Sequence, residues 1–343
     1  MKPLALIAAL AVCASAKSAV KRWASELDGA DLPRQIVAAR MLGRLGEKDG
    51  VDPLLNRLDA RRCSPRLTAA IVESLGQLKD PKALDGLMGA WDYLNSARLQ
   101  LGSELPGNLQ TLRALVAEAV GEIGTERAAP LLEEAISDKD PLVVQKAALG
   151  LGQIRDKNAV EPLLALLAKG GNLAQAGFEA LGRLGDPRGT TALLGYLSGE
   201  DQGARVEAAY GLSLTDKKYR DELAKLMREE KLEFQYRILA AYYLAKLDDG
   251  AGLDFLGRLA KKSKPGDQAK ALEALGKSGR PRAVPLVAEA AQTPDAAVRL
   301  LCAQALGRLG GSKAVAALKR LREDQSQAVR AAAKQGLDEL DFR

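Results

Sequence analysis

The chain has 343 residues, 47% of them hydrophobic and only 4% aromatic, with 50 lysines and arginines against 44 aspartates and glutamates. It contains no histidine, which excludes His-based catalytic triads, His-containing zinc sites and His-ligated haem. The three cysteines, Cys13, Cys63 and Cys302, are too scattered for a cysteine-only metal site.

The N-terminus reads as a secretory signal over residues 1–16. Lys2 gives a short positive region, Leu4 to Val12 is apolar, and Ala14-Ser15-Ala16 is a cleavage motif of the A-x-A kind. The apolar run is well short of the ~20 residues that a membrane span needs. Lipidation at Cys13 is the competing reading; Val12 stands where that signal wants a small residue. The expectation is a secreted or periplasmic protein, cut near Ala16. Cys63 and Cys302 then lie near opposite ends of the array, too far apart for an internal disulfide. They read as buried small hydrophobes.

From residue 17 to 343 one motif recurs. Aligned on the glycine of Leu-Gly-x-Leu, the column is Gly43, Gly76, Gly121, Gly152, Gly182, Ser213, Ala245, Gly276, Gly307 and Asp338. The steps are 33, 45, 31, 30, 31, 32, 31, 31 and 31 residues. A fixed period of this size indicates a stacked array of identical units. Each unit holds two helical patterns. The first is typified by Ala159 to Leu167, with Pro162 in its first turn, and the second by the alanine-rich Val298 to Leu306. An acidic or proline-containing turn such as Asp138 to Pro141 joins them. A glycine C-cap and new helix start, as in Gly185-Asp186-Pro187, lead to the next unit.

The pattern Asp-x-x-Val-Arg-x-x-Ala-Ala-x-Ala-Leu-Gly-x-Leu-Gly-Asp-Pro resembles HEAT repeats, specifically the short repeats named after phycobilisome lyases. The resemblance covers residues 19–343 and implies an all-α fold, a right-handed α-α superhelix (HEAT-like solenoid) of about ten helix pairs. At ~8–10 Å between helices such an array is on the order of 90 Å long. The second helix of each pair lines the concave, commonly binding, face in that family. Ser18 to Leu27 with Trp23 reads as the N-terminal cap, and Asp338 to Asp341 as the polar C-terminal one.

Departures from the repeat mark candidate sites. The 45-residue step is an insertion near residues 95–108, expected as a loop on one face. Seven of the thirteen aromatic residues fall between Tyr210 and Phe255. Tyr210, Phe234, Tyr236, Arg237, Tyr242 and Tyr243 form the candidate contact cluster, since tyrosine supplies rigid area with a hydroxyl. The alternative is that larger side chains fill a wider gap between units. Arginine stands eight residues before the column at Arg113, Arg205, Arg237, Arg299 and Arg330. Each belongs near an acidic turn (Asp201, Glu233, Asp295, Asp324), which favours a structural ladder over a basic binding stripe. Residues 255–343 carry 17 basic and 9 acidic side chains, and Arg280, Arg282, Arg299, Lys319 and Arg320 are the candidate basic contacts there.

Function is expected to be a scaffold or adaptor that binds a protein partner through the concave face, with no catalysis, no cofactor, no evident small-molecule substrate and no membrane span. A bilin-lyase-like role is the runner-up implied by the resemblance, opposed by the export signal. HEAT-like deoxyhypusine hydroxylases need His-Glu metal ligands that this chain lacks. Polyanion or nucleic-acid binding through the basic final third is the third reading, and export disfavours it. The pairs Glu133-Glu134 and Glu229-Glu230 read as solvated helix faces.

Overall fold

The computed structural model describes residues 16–101 and 107–341. Residues 1–15, which hold Cys13 and nearly all of the expected signal, lie outside the described residues, as do 102–106 of the insertion and 342–343.

The described residues form helix after helix, with no strand. Odd-numbered helices are α1 (16–27), α3 (Val51–Arg57), α5 (Leu84–Leu101), α7 (Ala129–Ala135), α9 (Val160–Leu167), α11 (Pro187–Leu197), α13 (Tyr219–Arg228), α15 (Gly250–Lys262), α17 (Ala283–Ala290) and α19 (Gly311–Leu321). They alternate with α2 (Leu32–Leu45), α4 (Pro65–Leu78), α6 (Gly107–Ile123), α8 (Pro141–Ile154), α10 (Gly171–Leu184), α12 (Gln202–Thr215), α14 (Phe234–Lys246), α16 (Pro265–Lys277), α18 (Ala296–Leu309) and α20 (Gln327–Asp341). Every residue of the glycine column falls on an even-numbered helix. The chain is therefore an all-α, HEAT-like solenoid of helix pairs. It gathers into two compact units, Met1–Gly189 and Thr190–Arg343.

Local chemistry sets the helix ends. Asp140, Asp201 and Asp295 accept backbone N–H bonds from Leu142, Ala204 and Ala297, satisfying donors that a helix start leaves open. Proline opens α4, α8 and α16, where its missing N–H costs nothing. Gly46 and Gly185 end α2 and α10 at φ 67° and 69°, in the left-handed region.

What the small column does is visible in the spacing of even-numbered helices. A methyl on Gly121 would stand 2.7 Å from the Cα of Gly150, and one on Gly152 2.7 Å from the Cα of Ala180. Similar near-contacts set Gly43 on Ser74, Gly76 on Ala119, Gly276 on Ala305 and Gly307 on Gly336. In each case the column residue meets the residue two before the column of the next unit. This rule places Asp338 correctly in the tenth unit, with Gly336 as its contact residue.

The insertion differs from the expected loop. Helix α5 runs 18 residues, against 7 in α3 and α7, and α6 resumes at Gly107. Ser96 to Leu101 contains good helix formers without glycine or proline, so the added chain lengthens a helix pair. At the N-terminus, Val20 and Leu27 of α1 are buried, and Trp23 is half-buried beneath the Arg22 guanidinium. Cys63 and Cys302 are both buried free thiols, and burial pushes the Cys302 thiol up to about 12. No helix among the described residues is long and apolar enough to cross a membrane.

Candidate functional site

The arginine position eight before the column is structural. Arg113 of α6 is 1% exposed and forms a bidentate pair with Asp138, whose side chain is 5% exposed, in the turn before α8. Arg299 makes the same bridge to Asp324 at 2.7 and 2.9 Å, and Arg205 reaches Glu229 at 3.2 Å. For these three the partner is the acidic residue of the following turn, while Asp201 and Asp295 cap their own helices; Arg330 instead donates to the Asp324 and Gln325 carbonyls of the turn before it. Arg299 also donates to the Thr293 and Pro294 carbonyls. The Arg299 guanidinium and the Ser326 N–H hold the Asp324 carboxyl below its ordinary range.

That shift has a pH consequence. The folded state takes up the Asp324 proton at lower pH than the unfolded chain, so the stabilisation is complete above the unfolded carboxyl range and is lost as pH falls through the folded one. Asp324→Asn is expected to lower stability at pH 7, with its deficit relative to wild type shrinking below about pH 4. Urea unfolding of both proteins at pH 7 and pH 3 checks this.

The tyrosine unit turns inward. Tyr210 and Tyr243 are each 1% exposed, with parallel rings 4.0 Å apart. Phe234, Tyr236 and Tyr242 are half-buried against the same core. Arg237 donates to the Met227 carbonyl at 3.0 Å and lies over the Phe234 and Phe255 rings. Tyr210 and Tyr243 therefore offer no contact surface, because their volume fills the space between α12 and α14.

The basic candidates do not converge. Arg280 is half-buried and donates to the Lys246 carbonyl, and exposed Arg282 reaches Asp248, both just before α17. Arg299 lies at the other end of that helix pair, in the first turn of α18, committed to its turn. Lys319 and Arg320 are exposed in the last turn of α19. The acidic pairs are likewise structural: Glu134 accepts from Trp91 and Asn95, Glu133 from Asn158, and Glu229 from Arg205.

The sequence reading missed a groove in the first unit, lined by Lys79, which caps the end of α4, and by residues of α6, α8 and α10. Its volume is about 290 Å³. Gly121 and Gly150 make its floor, since residues small enough for helix contact leave nothing to fill the surface above them. Charged walls rise on both sides. Lys146 pairs with Glu118 at 2.5 Å, and Arg183 with Glu179 at 2.7 Å and with Gln153 at 2.8 Å. Glu122 on the wall, and Glu73 on α4 beside it, close no ion pair among the described residues. Desolvation first, and then the nearby Glu118 carboxylate, hold both carboxyls above the ordinary glutamate range, against the pull of Arg40 on Glu73 and of Lys79 and Lys146 on Glu122. A signal was present in the sequence. Three before and one after the column stand Glu118 and Glu122 in one unit, Glu179 and Arg183 in another, on one helix face at i, i+4. Among the described residues no group of three His, Cys, Asp or Glu side chains is placed to hold a metal.

Helix pairs locked through small residues and tied by arginine–carboxylate bridges at the turns define an α-helical repeat protein. The sequence pattern of HEAT repeats matches residues 20–103, 99–176 and 253–338, and the chain belongs to the HEAT-repeat family. It is similar to the phycocyanobilin lyase subunit alpha of Nostoc sp. (strain PCC 7120), 31% identical over 190 residues that cover 55% of this chain and 64% of that protein. It therefore spans under two thirds of that relative's length. Among solved structures it is similar to human deoxyhypusine hydroxylase in complex with glycerol (TM-score 0.42, 21% identity, 88% of this chain and 99% of that one). It is also similar to the CpcE–CpcF complex of phycocyanin lyase from Nostoc sp. PCC7120 (TM-score 0.33, 16% identity, 94% of each chain).

Proposed function

We propose that this protein is a non-catalytic scaffold that binds a protein partner, and that the groove over α4 to α10 receives a lysine- or arginine-bearing segment of it. The observation that carries this is Glu73 and Glu122, carboxylates held partly out of water beside their repulsive neighbour Glu118 and closing no ion pair among the described residues. An incoming cation would relieve the repulsion each has with Glu118, where solvent screens it poorly. Because it would also draw their raised pKa values down, binding releases protons and tightens as pH rises through that range. Arg282, Lys319 and Arg320 are exposed and remain candidates for a separate contact.

The test is affinity capture from native cells with wild type, with Glu73→Lys/Glu122→Lys, and with Arg282→Glu/Lys319→Glu/Arg320→Glu. The groove variant is expected to lose the captured partner by at least about tenfold, the effect of roughly 1.4 kcal/mol. Equal capture by all three proteins contradicts the groove assignment.

A lyase-like role is the second reading, favoured by the relative from Nostoc. Phycocyanobilin added to the purified protein should then show a changed visible spectrum, whereas a scaffold leaves it unaltered. Export belongs to the proposal as well, and rests on the sequence of residues 1–16. Fusing residues 1–25 to a reporter active only after export tests it; a cytosolic reporter would return the lyase reading to the front.

A further inference from the structure

Even-numbered helices of the second unit do not pack uniformly. Along α16, α18 and α20 the column contacts are backbone-close: a methyl on Gly276 or Gly307 would stand 3.0 Å from the Cα of Ala305 or 3.1 Å from that of Gly336. Around α14 this arrangement is broken. The column residue of α12 is Ser213, its hydroxyl turned back onto the Tyr210 carbonyl at 2.6 Å. Two before the column of α14, where eight other repeats place serine, alanine or glycine, stands Tyr243. Helix α14 accordingly packs less extensively on both α12 and α16 than α16 packs on α18 or α18 on α20.

Two flat rings and their polar ends fill the opening. Tyr243 and Tyr210 stack within 5° of parallel at 4.0 Å, the Tyr243 hydroxyl donates to Glu207 at 2.5 Å, and the Lys246 ammonium lies 5.0 Å from the Tyr210 ring centre. These contacts have a different mechanical character from the glycine contacts. Interlocked small residues at van der Waals limit resist both approach and sliding, because any displacement drives methyl against backbone. Parallel aromatic rings keep much of their attraction over a range of offsets. A hydroxyl–carboxylate bond on long side chains also follows a small shift.

We infer that α14 is a compliant joint in the second unit, a place where the spacing of even-numbered helices changes while the repeats from α16 onward move together. The aromatic cluster of this unit is then the lubricated seam of the joint, an internal role independent of the partner proposed for the first unit.

Paired spin labels measure this in the full chain, with Cys13, Cys63 and Cys302 replaced by alanine. Labels at Thr215 and Lys277 span α12 to α16 across the tyrosine helix. Labels at Lys277 and Glu339 span α16 to α20, the same number of units, across small-residue contacts. The expected result is a broader distance distribution for Thr215–Lys277 than for Lys277–Glu339. Equal widths, or the reverse order, overturn the joint. A second measurement uses Tyr210→Ala/Tyr243→Ala, which restores small residues at the seam: the Thr215–Lys277 distance should shorten and its distribution narrow. If this variant folds and the distance is unchanged, the tyrosines do not set the spacing and the inference fails. If it does not fold, the comparison of widths in the unaltered seam still decides.

Discussion

Replacing Arg113 by alanine should cost about 3–5 kcal/mol, because it leaves the Asp138 carboxylate buried without its cation. The loss extends beyond one pair. The Arg113 guanidinium also donates to Asn95 at 3.1 Å and lies over Trp91, while Asn95 and Trp91 both donate to Glu134. One buried arginine thereby joins the lengthened α5 to the last turn of α7 and to the turn that follows it. Arg113→Met/Asp138→Asn should recover part of the loss, since the amide keeps an acceptor for the Asp140 N–H that Asp138 now binds at 2.8 Å without leaving a bare charge. Exposed Arg282, also bound to an aspartate, sets the contrast: its removal should cost under about 1 kcal/mol. Urea unfolding of the three variants, with hydrogen exchange on α5 to α8 as the local readout, checks the order.

The second large effect is expected from one methyl. On helix propensity alone, glycine to alanine inside a helix gains about 1 kcal/mol. At Gly121 the added carbon would lie 2.7 Å from the Cα of Gly150, and backbone cannot yield as a side chain does. Helices α6 and α8 would have to part, so Gly121→Ala should destabilise by about 1–3 kcal/mol in spite of propensity. Gly89 is the matched control. It lies inside α5, nothing stands within 4 Å of its added methyl, and Gly89→Ala should stabilise by about 0.5–1 kcal/mol. Opposite signs for the same substitution in two helices of one unit would be difficult to obtain from any cause but the column contact; Tm shifts measured side by side settle it.

Most of the fold was legible because a repeat states its constraint many times. The 31-residue step, the alanine-rich second helix and the acidic turns each recur, so a single alignment located every even-numbered helix, including the last, where Asp338 occupies the column. The arginine ladder was readable for the same reason, although its direction was not: spacing alone does not say that Arg299 pairs forward with Asp324 while Asp295 caps its own helix. The insertion was expected as a loop because residues 102–107 hold a proline and two glycines, whereas Ser96 to Leu101 before them is helix-forming chain and extends α5. The tyrosines misled in another way. Their frequency at binding hot spots suggested surface, yet Tyr243 sits two before the column, at the contact position, which marks it as interior. The groove was missed because attention went to the irregular units, while Glu118, Glu122, Glu179 and Arg183 stand in regular ones, at positions that the glycine alignment already defined.

Hydrogen exchange of the captured complex reads the groove itself. With partner bound, added protection is expected in α6, α8 and α10 around Glu118, Glu122 and Arg183, with little change in α7 and α9. Protection confined to the odd-numbered helices, or absent from the first unit altogether, would contradict the groove assignment.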